Sequence, residues 1–209
     1  MDSQLNLFSN SVKVEPEKTI NLFGISGLEY YAEFLTREEE ILLKDAIDSE
    51  IWLDDLKRRV QHYGFKYDYK KRAINESMRV APLPKWSIFI SERLQEKNFI
   101  DFVPDQMIIN EYFPGQGIAD HIDCEPCFQS YIISISLLSP VNMMFTEKAN
   151  RKNKLSKLLE PRSAIVLKDN ARYNWLHGIK PSKRYKDNSG IWQDRTRRIS
   201  LTFRKVILG

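Results

Sequence analysis

This 209-residue sequence predicts an α+β fold that is mainly β, an antiparallel sandwich or jelly roll with helices packed on one sheet, on three observations. From Gln106 onward, short runs alternate apolar and polar residues with period two: QMIINEYF, YIISISLL, NMMFT, SAIVLKD and RRISLTFRKV. Such alternation marks strands with one face on a core. Gly, Pro, Asn and Asp punctuate the runs, as turns between antiparallel strands require. Two helical patterns precede them, and a block of strands after a block of helices favours segregated layers.

Residues 1–29 form a polar lead-in, expected to be extended, with a short apolar patch in INLFGISGLEYY. The remainder, 30–209, reads as a single domain, long enough to bury a sizeable core and free of repeats or linkers. Its first helix starts at Thr36, an N-cap with Glu39 at the capping-box position, and Ile41, Leu42, Ala46 and Ile47 recur at helical spacing. After the breaker APLP, a second helix is predicted over Ser87 to Lys97, where Trp86, Phe89, Ile90, Arg93 and Leu94 keep the i, i+3, i+4 pattern. The strands follow.

Hydrophobic residues make up 42% and charged residues 29%, the balance of a folded soluble protein. The start, MDSQLNLFSN, has no basic segment leading into an apolar one, and the longest apolar run is far too short to span a bilayer, so a soluble cytoplasmic protein without a membrane partner is expected. Two cysteines, Cys124 and Cys127, offer no disulfide framework, which fits a reducing compartment. The formal charge of +4 permits a polyanionic partner without demanding one.

The chemistry concentrates in ADHIDCEPC, residues 119–127. His121 and Asp123 are one residue apart, so on a strand both side chains leave the same face. Two imidazoles and one carboxylate arranged facially leave open positions on a metal, the solution that recurs in non-haem Fe(II) oxygenases. The second imidazole would come from His177, at the end of a predicted strand in RYNWLHGIKP, and His62 sits among aromatics in QHYGFKYDY. Two other readings compete. The single C-x-x-C is half of a zinc site, and a lone H-x-D is often only a hydrogen-bonded pair.

In RRISLTFRK, Arg198, Ser200, Thr202 and Arg204 fall on one strand face and Ile199, Leu201 and Phe203 on the other. If the polar face looked inward, its two guanidinium groups would need anionic partners, and a small dicarboxylate would satisfy both. The alternative is a solvent-facing edge strand. In INEYFPGQGIADH, Asn110 and Tyr112 share a face and offer neutral hydrogen-bonding groups ahead of a Pro/Gly turn.

Taken together, N-x-Y-x-x-G-x-G-I-x-x-H-x-D at 110–123, W-x-H-G-I at 175–179 and R-x-S-L-T-F-R at 198–204 resemble the AlkB family of Fe(II)/2-oxoglutarate-dependent dioxygenases, over roughly Tyr30 to Val206. The resemblance implies a double-stranded β-helix (jelly roll) core at about 106–207, N-terminal helices, and a nucleotide-recognition lid at about 57–80. It implies Fe(II), 2-oxoglutarate and O2 as cofactor and cosubstrates, with His121, Asp123 and His177 as iron ligands. Arg198 would meet the distal carboxylate of 2-oxoglutarate with Tyr112, and Arg204 the carboxylate near the metal with Asn110. Ser200 departs from the pattern, in which many members carry Asn. Glu125 occupies the position where DNA-repair members contact the damaged base.

For the substrate, RRVQHYGFKYDYKKR interleaves Tyr63, Phe65, Tyr67 and Tyr69 with arginines and lysines, which suits base stacking with phosphate contact. A hairpin with its aromatics in the core is the plainer alternative. KANRKNKLSK, 148–157, reads as a basic loop between strands that would track a backbone or simply be solvated. The expected function is oxidative demethylation of N-alkylated bases in DNA or RNA, by a monomer, releasing succinate, CO2 and formaldehyde. The alternatives are hydroxylation of a modified wobble uridine in tRNA, and a non-catalytic nucleic-acid-binding module.

Overall fold

The computed structural model describes residues 18–54, 56–68 and 71–208. In chain order the elements are β1 (Lys18–Thr19), β2 (Leu28–Tyr31), α1 (Arg37–Asp48), β3 (Val60–Tyr63), α2 (Ile88–Glu96), β4 (Gln106–Tyr112), β5 (Ile118–His121), β6 (Ile132–Leu138), β7 (Val141–Glu147), β8 (Lys154–Leu159), β9 (Ala164–Leu167), α3 (Asp169–Asn174), β10 (Trp175–Ile179), β11 (Arg184–Lys186), β12 (Trp192–Asp194) and β13 (Arg198–Arg204). A seven-stranded sheet runs β1-β2-β9-β6-β13-β4-β3, and a four-stranded sheet runs β5-β10-β7-β8. Their ladders are antiparallel, as the alternating runs predict. The described part of the lead-in is extended in β1 and β2 around a short turn at Leu22–Gly24, but the buried core begins before residue 30, since Leu28 and Glu29 already belong to a buried strand that pairs with β9.

The period-two pattern of the central strands sorts side chains into two cores. Ile133, Ile135 and Leu137 of β6 and Ile199, Leu201 and Phe203 of β13 pack beneath the helices with Leu43, Ile47, Ile90 and Leu94. Ile132, Ile165 and Leu167 face the smaller sheet instead, against Val141, Met143, Phe145 and Ile179. The helices therefore cover one face of the large sheet, and the functional cavity opens on the other.

Helix α1 begins with the predicted capping box: Glu39 N–H donates to Thr36 Oγ1 at 3.2 Å and Thr36 N–H to Glu39 Oε2 at 2.9 Å. Its buried stripe is rotated from the expected one. Ile41 is exposed, while Glu39 and Glu40 are buried beside Leu43 and Ile47. Both carboxylates are paired. Arg93 of α2 donates to Glu39 at 2.6 and 2.8 Å, and Leu138 N–H donates to Glu40 at 2.7 Å. Charged groups on the inner face thus tie the two helices and the sheet together. Among the described residues, no helix is long and apolar enough to cross a membrane.

Candidate active site

Strands β5 and β10 are neighbours in the smaller sheet, with His121 directly opposite His177. Their rings lie 4.4 Å apart between centroids. Asp123, two residues beyond His121, completes a cluster whose potential ligand atoms all lie within 4.8 Å of one another. His121 Nδ1 lies 2.9 Å from the carbonyl of Ala119, which assigns that nitrogen the proton and leaves Nε2 as a ligand. Asp123 is buried, with Oδ1 taken by Arg204 at 2.6 and 2.9 Å. Oδ2 receives no hydrogen bond and lies 3.4 Å from His177 Nε2.

The electrostatics suit a cation. Burial pushes the Asp123 carboxyl up, but the charges of Arg204, His177 and His121 outweigh it and hold the group well below the ordinary carboxylate range. His177 is lowered to about 3, chiefly by burial and then by His121, so its ring is neutral and free to ligate at physiological pH. Two imidazoles and one ionised carboxylate with an orphaned buried oxygen match the donor set of a facial Fe(II) site.

A cavity of about 620 Å³ opens beside this cluster between the two sheets. Arg198, Ser200, Thr202 and Arg204 all line it, so β13 presents its polar face inward. Arg198 is 1% exposed and stacks at 5.5 Å from the Tyr112 ring centroid. Its Nη2 donates to Ser136 Oγ at 2.8 Å, while Nε and Nη1 are buried without partners. Burial lowers its pKa to about 10. A guanidinium in that condition calls for an anion. Ser200 is occupied by Ser134 at 2.9 Å, and Asn110 Oδ1 accepts from Arg58 Nε at 2.7 Å.

Two further arginines border the site, Arg58 from the basic aromatic segment and Arg172 from outside the sequence motifs. Arg58 reaches the cavity from the segment before β3, with its guanidinium 5.7 Å from the Tyr112 ring centroid. Arg172 of α3 is 2% exposed and donates to the carbonyls of Asp123 at 3.0 Å and Cys124 at 3.3 Å. Only its position five residues before His177 hinted at a role.

The aromatic segment behaves differently from the stacking platform expected. Tyr63 and Phe65 are core residues, 8% and 1% exposed. Tyr63 sits edge-on to Trp86 under the helices, while Phe65 joins the inter-sheet core with Arg79 over its ring at 4.5 Å. Gly64 causes the split. At φ +77° it breaks the alternation that would have kept both rings on one face, and a Cβ there would lie 1.8 Å from the Asp105 carbonyl oxygen. Tyr67 does line the cavity, tilted against Phe128 at 5.7 Å, and Tyr69 lies outside the described residues. Glu125 lies at the cavity mouth in an exposed ion pair with Lys148 at 3.5 Å. His62 stands on β3 opposite Ile108, away from the cluster. The expected basic loop at 148–157 is partly strand, since β8 begins at Lys154.

The cysteines also depart from expectation. Cys124 and Cys127 are joined as a disulfide, because the turn after Asp123 returns the N–H of Cys127 to the Cys124 carbonyl at 3.2 Å and brings the sulfurs together. Neither belongs to the metal-ligand cluster.

A two-sheet core carrying this triad and paired inward arginines defines a non-haem iron oxygenase, and the family comparison agrees: the model of the 2OG-Fe(II) oxygenase superfamily matches residues 29–204. The chain belongs to that family, whose members use Fe(II), 2-oxoglutarate and O2. Within it several relatives carry AlkB-homologue names. The chain is 34% identical over 204 residues to an alkylated DNA repair protein ALKBH8 homolog of Arabidopsis thaliana, covering 88% of this chain and 59% of that one. It is 33% identical to the mouse tRNA (carboxymethyluridine(34)-5-O)-methyltransferase ALKBH8, covering 88% of this chain but 29% of the relative. It thus spans less than two thirds of the first of these proteins and less than a third of the second. An uncharacterised protein of Acanthamoeba polyphaga mimivirus is 34% identical, with 95% and 91% covered. The structure of OsALKBH1 shares the fold, with a TM-score of 0.63 at 15% identity over 93% of this chain and 99% of that one.

Proposed function

We propose that this oxygenase oxidises N-alkylated bases in DNA or RNA. The observation that carries the reading is that the His121–Asp123–His177 cluster and the unpaired Arg198 guanidinium face one cavity. Iron would be held by His121, Asp123 and His177. When bound, iron with 2-oxoglutarate and O2 supplies the oxidising power, giving succinate, CO2 and a hydroxylated substrate carbon. The chain's own residues orient and exclude. Arg198, with Ser136 and Tyr112 around it, would take the far carboxylate of 2-oxoglutarate. Arg204 would hold the near one while keeping Asp123 fixed, with Asn110 beside it. The apolar lining from Ile108, Ile132, Ile165 and Leu167 keeps water from the reacting carbon. A hydroxylated N-methyl group then loses formaldehyde.

Nucleic acid as substrate is supported by the cationic rim of Arg58, Arg72, Lys148 and Arg151, with Tyr67 beside it. Relatives named as a DNA N6-methyl adenine demethylase of Caenorhabditis elegans and a probable RNA/DNA demethylase of Danio rerio, at 26% and 25% identity, point the same way. A tRNA uridine is the second reading, favoured by the higher identity to the tRNA-modifying relatives. The deciding experiment is anaerobic reconstitution with Fe(II) and 2-oxoglutarate, then O2 with methylated oligonucleotides or with tRNA. Succinate and formaldehyde formed together establish demethylation. Succinate with an oxidised uridine and no formaldehyde supports the tRNA reading, and neither product from iron-loaded protein sinks both.

A further inference from the structure

Strand β4 lies between β13 and β3 in the large sheet, and consecutive residues on these strands and their extensions divide between its two faces. Toward the helices, Glu111 is fully buried and accepts from Arg59 at 2.5 and 2.9 Å and from Arg197 at 2.6 Å. Arg197 also donates to Asp48 of α1 at 2.8 Å. Toward the cavity, the neighbours of these three residues present Arg58, Asn110 and Arg198. The chain entering β3 is fastened on both sides of Arg58. Glu111 N–H donates to the Arg59 carbonyl at 3.0 Å, and Gln116 Nε2 donates to the Lys57 carbonyl at 2.7 Å. From that anchored position Arg58 Nε donates to Asn110 Oδ1 at 2.7 Å. On the reading that 2-oxoglutarate enters this cavity, we propose that Arg58 is a positioning residue for the cosubstrate, one that turns the Asn110 amide so that Nδ2 rather than Oδ1 is offered to it.

The chemistry of the pair fixes the direction. A guanidinium has donors and no acceptor, so its partner on Asn110 has to be the amide oxygen. The amide NH2 is then left for the cavity that Asn110 lines. An ionised dicarboxylate can only accept, so a donor at that point receives it and an acceptor repels it.

Without Arg58 the amide would favour the opposite orientation. Asn110 stands opposite Ser200 on β13, one step along the strand face from Arg198, whose Nε and Nη1 are buried without partners. The charge of that guanidinium draws a carbonyl oxygen toward it. An inward Oδ1 would compete with the cosubstrate for Arg198 and would have to turn away before a carboxylate could settle. Arg58 holds the oxygen back beforehand, so binding of 2-oxoglutarate needs no such rearrangement. The same arginine leads into the segment around β3, which makes the placing of that segment part of the cosubstrate site.

The test is a double-mutant cycle on the affinity for 2-oxoglutarate, measured by isothermal titration into the anaerobic Fe(II) protein, so that no turnover enters the readout. Arg58→Met keeps the length of the side chain and removes its donors, and should weaken binding about three- to tenfold, the value of about one net hydrogen bond. In an Asn110→Ala background the same change should cost nothing further. Arg58→Lys restores a group that only donates and should recover most of the affinity, which a purely structural role for the arginine would not require. Unchanged binding in Arg58→Met, losses that simply add in the double variant, or a lysine variant as weak as the methionine one would each overturn the role given to Arg58, while leaving the cosubstrate reading intact. Failure of the unaltered Fe(II) protein to bind 2-oxoglutarate would overturn both.

Discussion

Asp123 is held from both ends. Arg204 grips Oδ1 of its carboxylate, and Arg172 grips its own carbonyl and the next one. With those points fixed, Oδ2 faces the two imidazoles, where a metal would lie. Arg172 is thus a positioning residue whose guanidinium acts on the backbone of a ligand. Its Nε is a buried orphan and burial lowers its pKa, costs that two carbonyl bonds and the Asp123 charge offset only in part. Replacing it by a shorter side chain should therefore loosen Asp123 and leave the two carbonyls without their donor. Arg172→Gln is expected to weaken Fe(II) or Co(II) binding by about ten- to a hundredfold, the range for groups that orient metal ligands. Isothermal titration measures the affinity, and the visible spectrum of the Co(II) form reports the ligand geometry. An unchanged spectrum and affinity would show that Arg172 only fills space.

The pairing of β5 with β10 brings two histidines fifty-six positions apart in sequence face to face, and it depends on how closely the strands approach. Gly178 sets that approach. A Cβ there would lie 2.4 Å from Asp120 Oδ1 and 2.9 Å from the Asp120 backbone, and Asp120 is already committed to Thr146 at 3.0 Å. Gly178→Ala should push β5 outward and part His121 from His177. A loss of about 1–3 kcal/mol in stability is expected from the overpacking, with a larger fall in metal affinity. Chemical denaturation and metal titration of the same variant separate the two. Elements of this kind were readable in advance where period and capping signals were strong. The capping box at Thr36 and the two faces of β13 are both found as their residues imply. The aromatic segment was readable only as an open choice between stacking and core packing, because a single left-handed residue, Gly64, redirects the chain and no pattern of hydrophobicity registers which ring goes where. The burial of Glu39 and Glu40 was hidden for a related reason. Their partners, Arg93 and the Leu138 amide, come from distant parts of the chain.

At the scale of the whole molecule, the modest net charge of +4 conceals where the charge lies. Cations come to the cavity rim from two separate parts of the chain: Arg58 and Arg72 from the segment around β3, Lys148 and Arg151 from the turn between β7 and β8. Glu125 offsets one of them through its exposed pair with Lys148, a contact worth little once salt screens it. A polyanion laid across the mouth would touch cations on both sides and displace counterions from its phosphates. A small substrate held only inside the cavity would not. These two cases differ in salt dependence. Binding of a single-stranded oligonucleotide, followed by fluorescence anisotropy at graded ionic strength, should weaken linearly in log–log form, with a slope of about −0.7 for each phosphate neutralised. Replacing Lys148 and Arg151 together by alanine should shallow that slope by about one to two, while leaving the 2-oxoglutarate requirement of substrate-free turnover unchanged. A slope that the double variant does not alter would place the polymer elsewhere on the surface. A shift in the cosubstrate requirement would mean instead that the turn between β7 and β8 supports the iron site rather than the substrate.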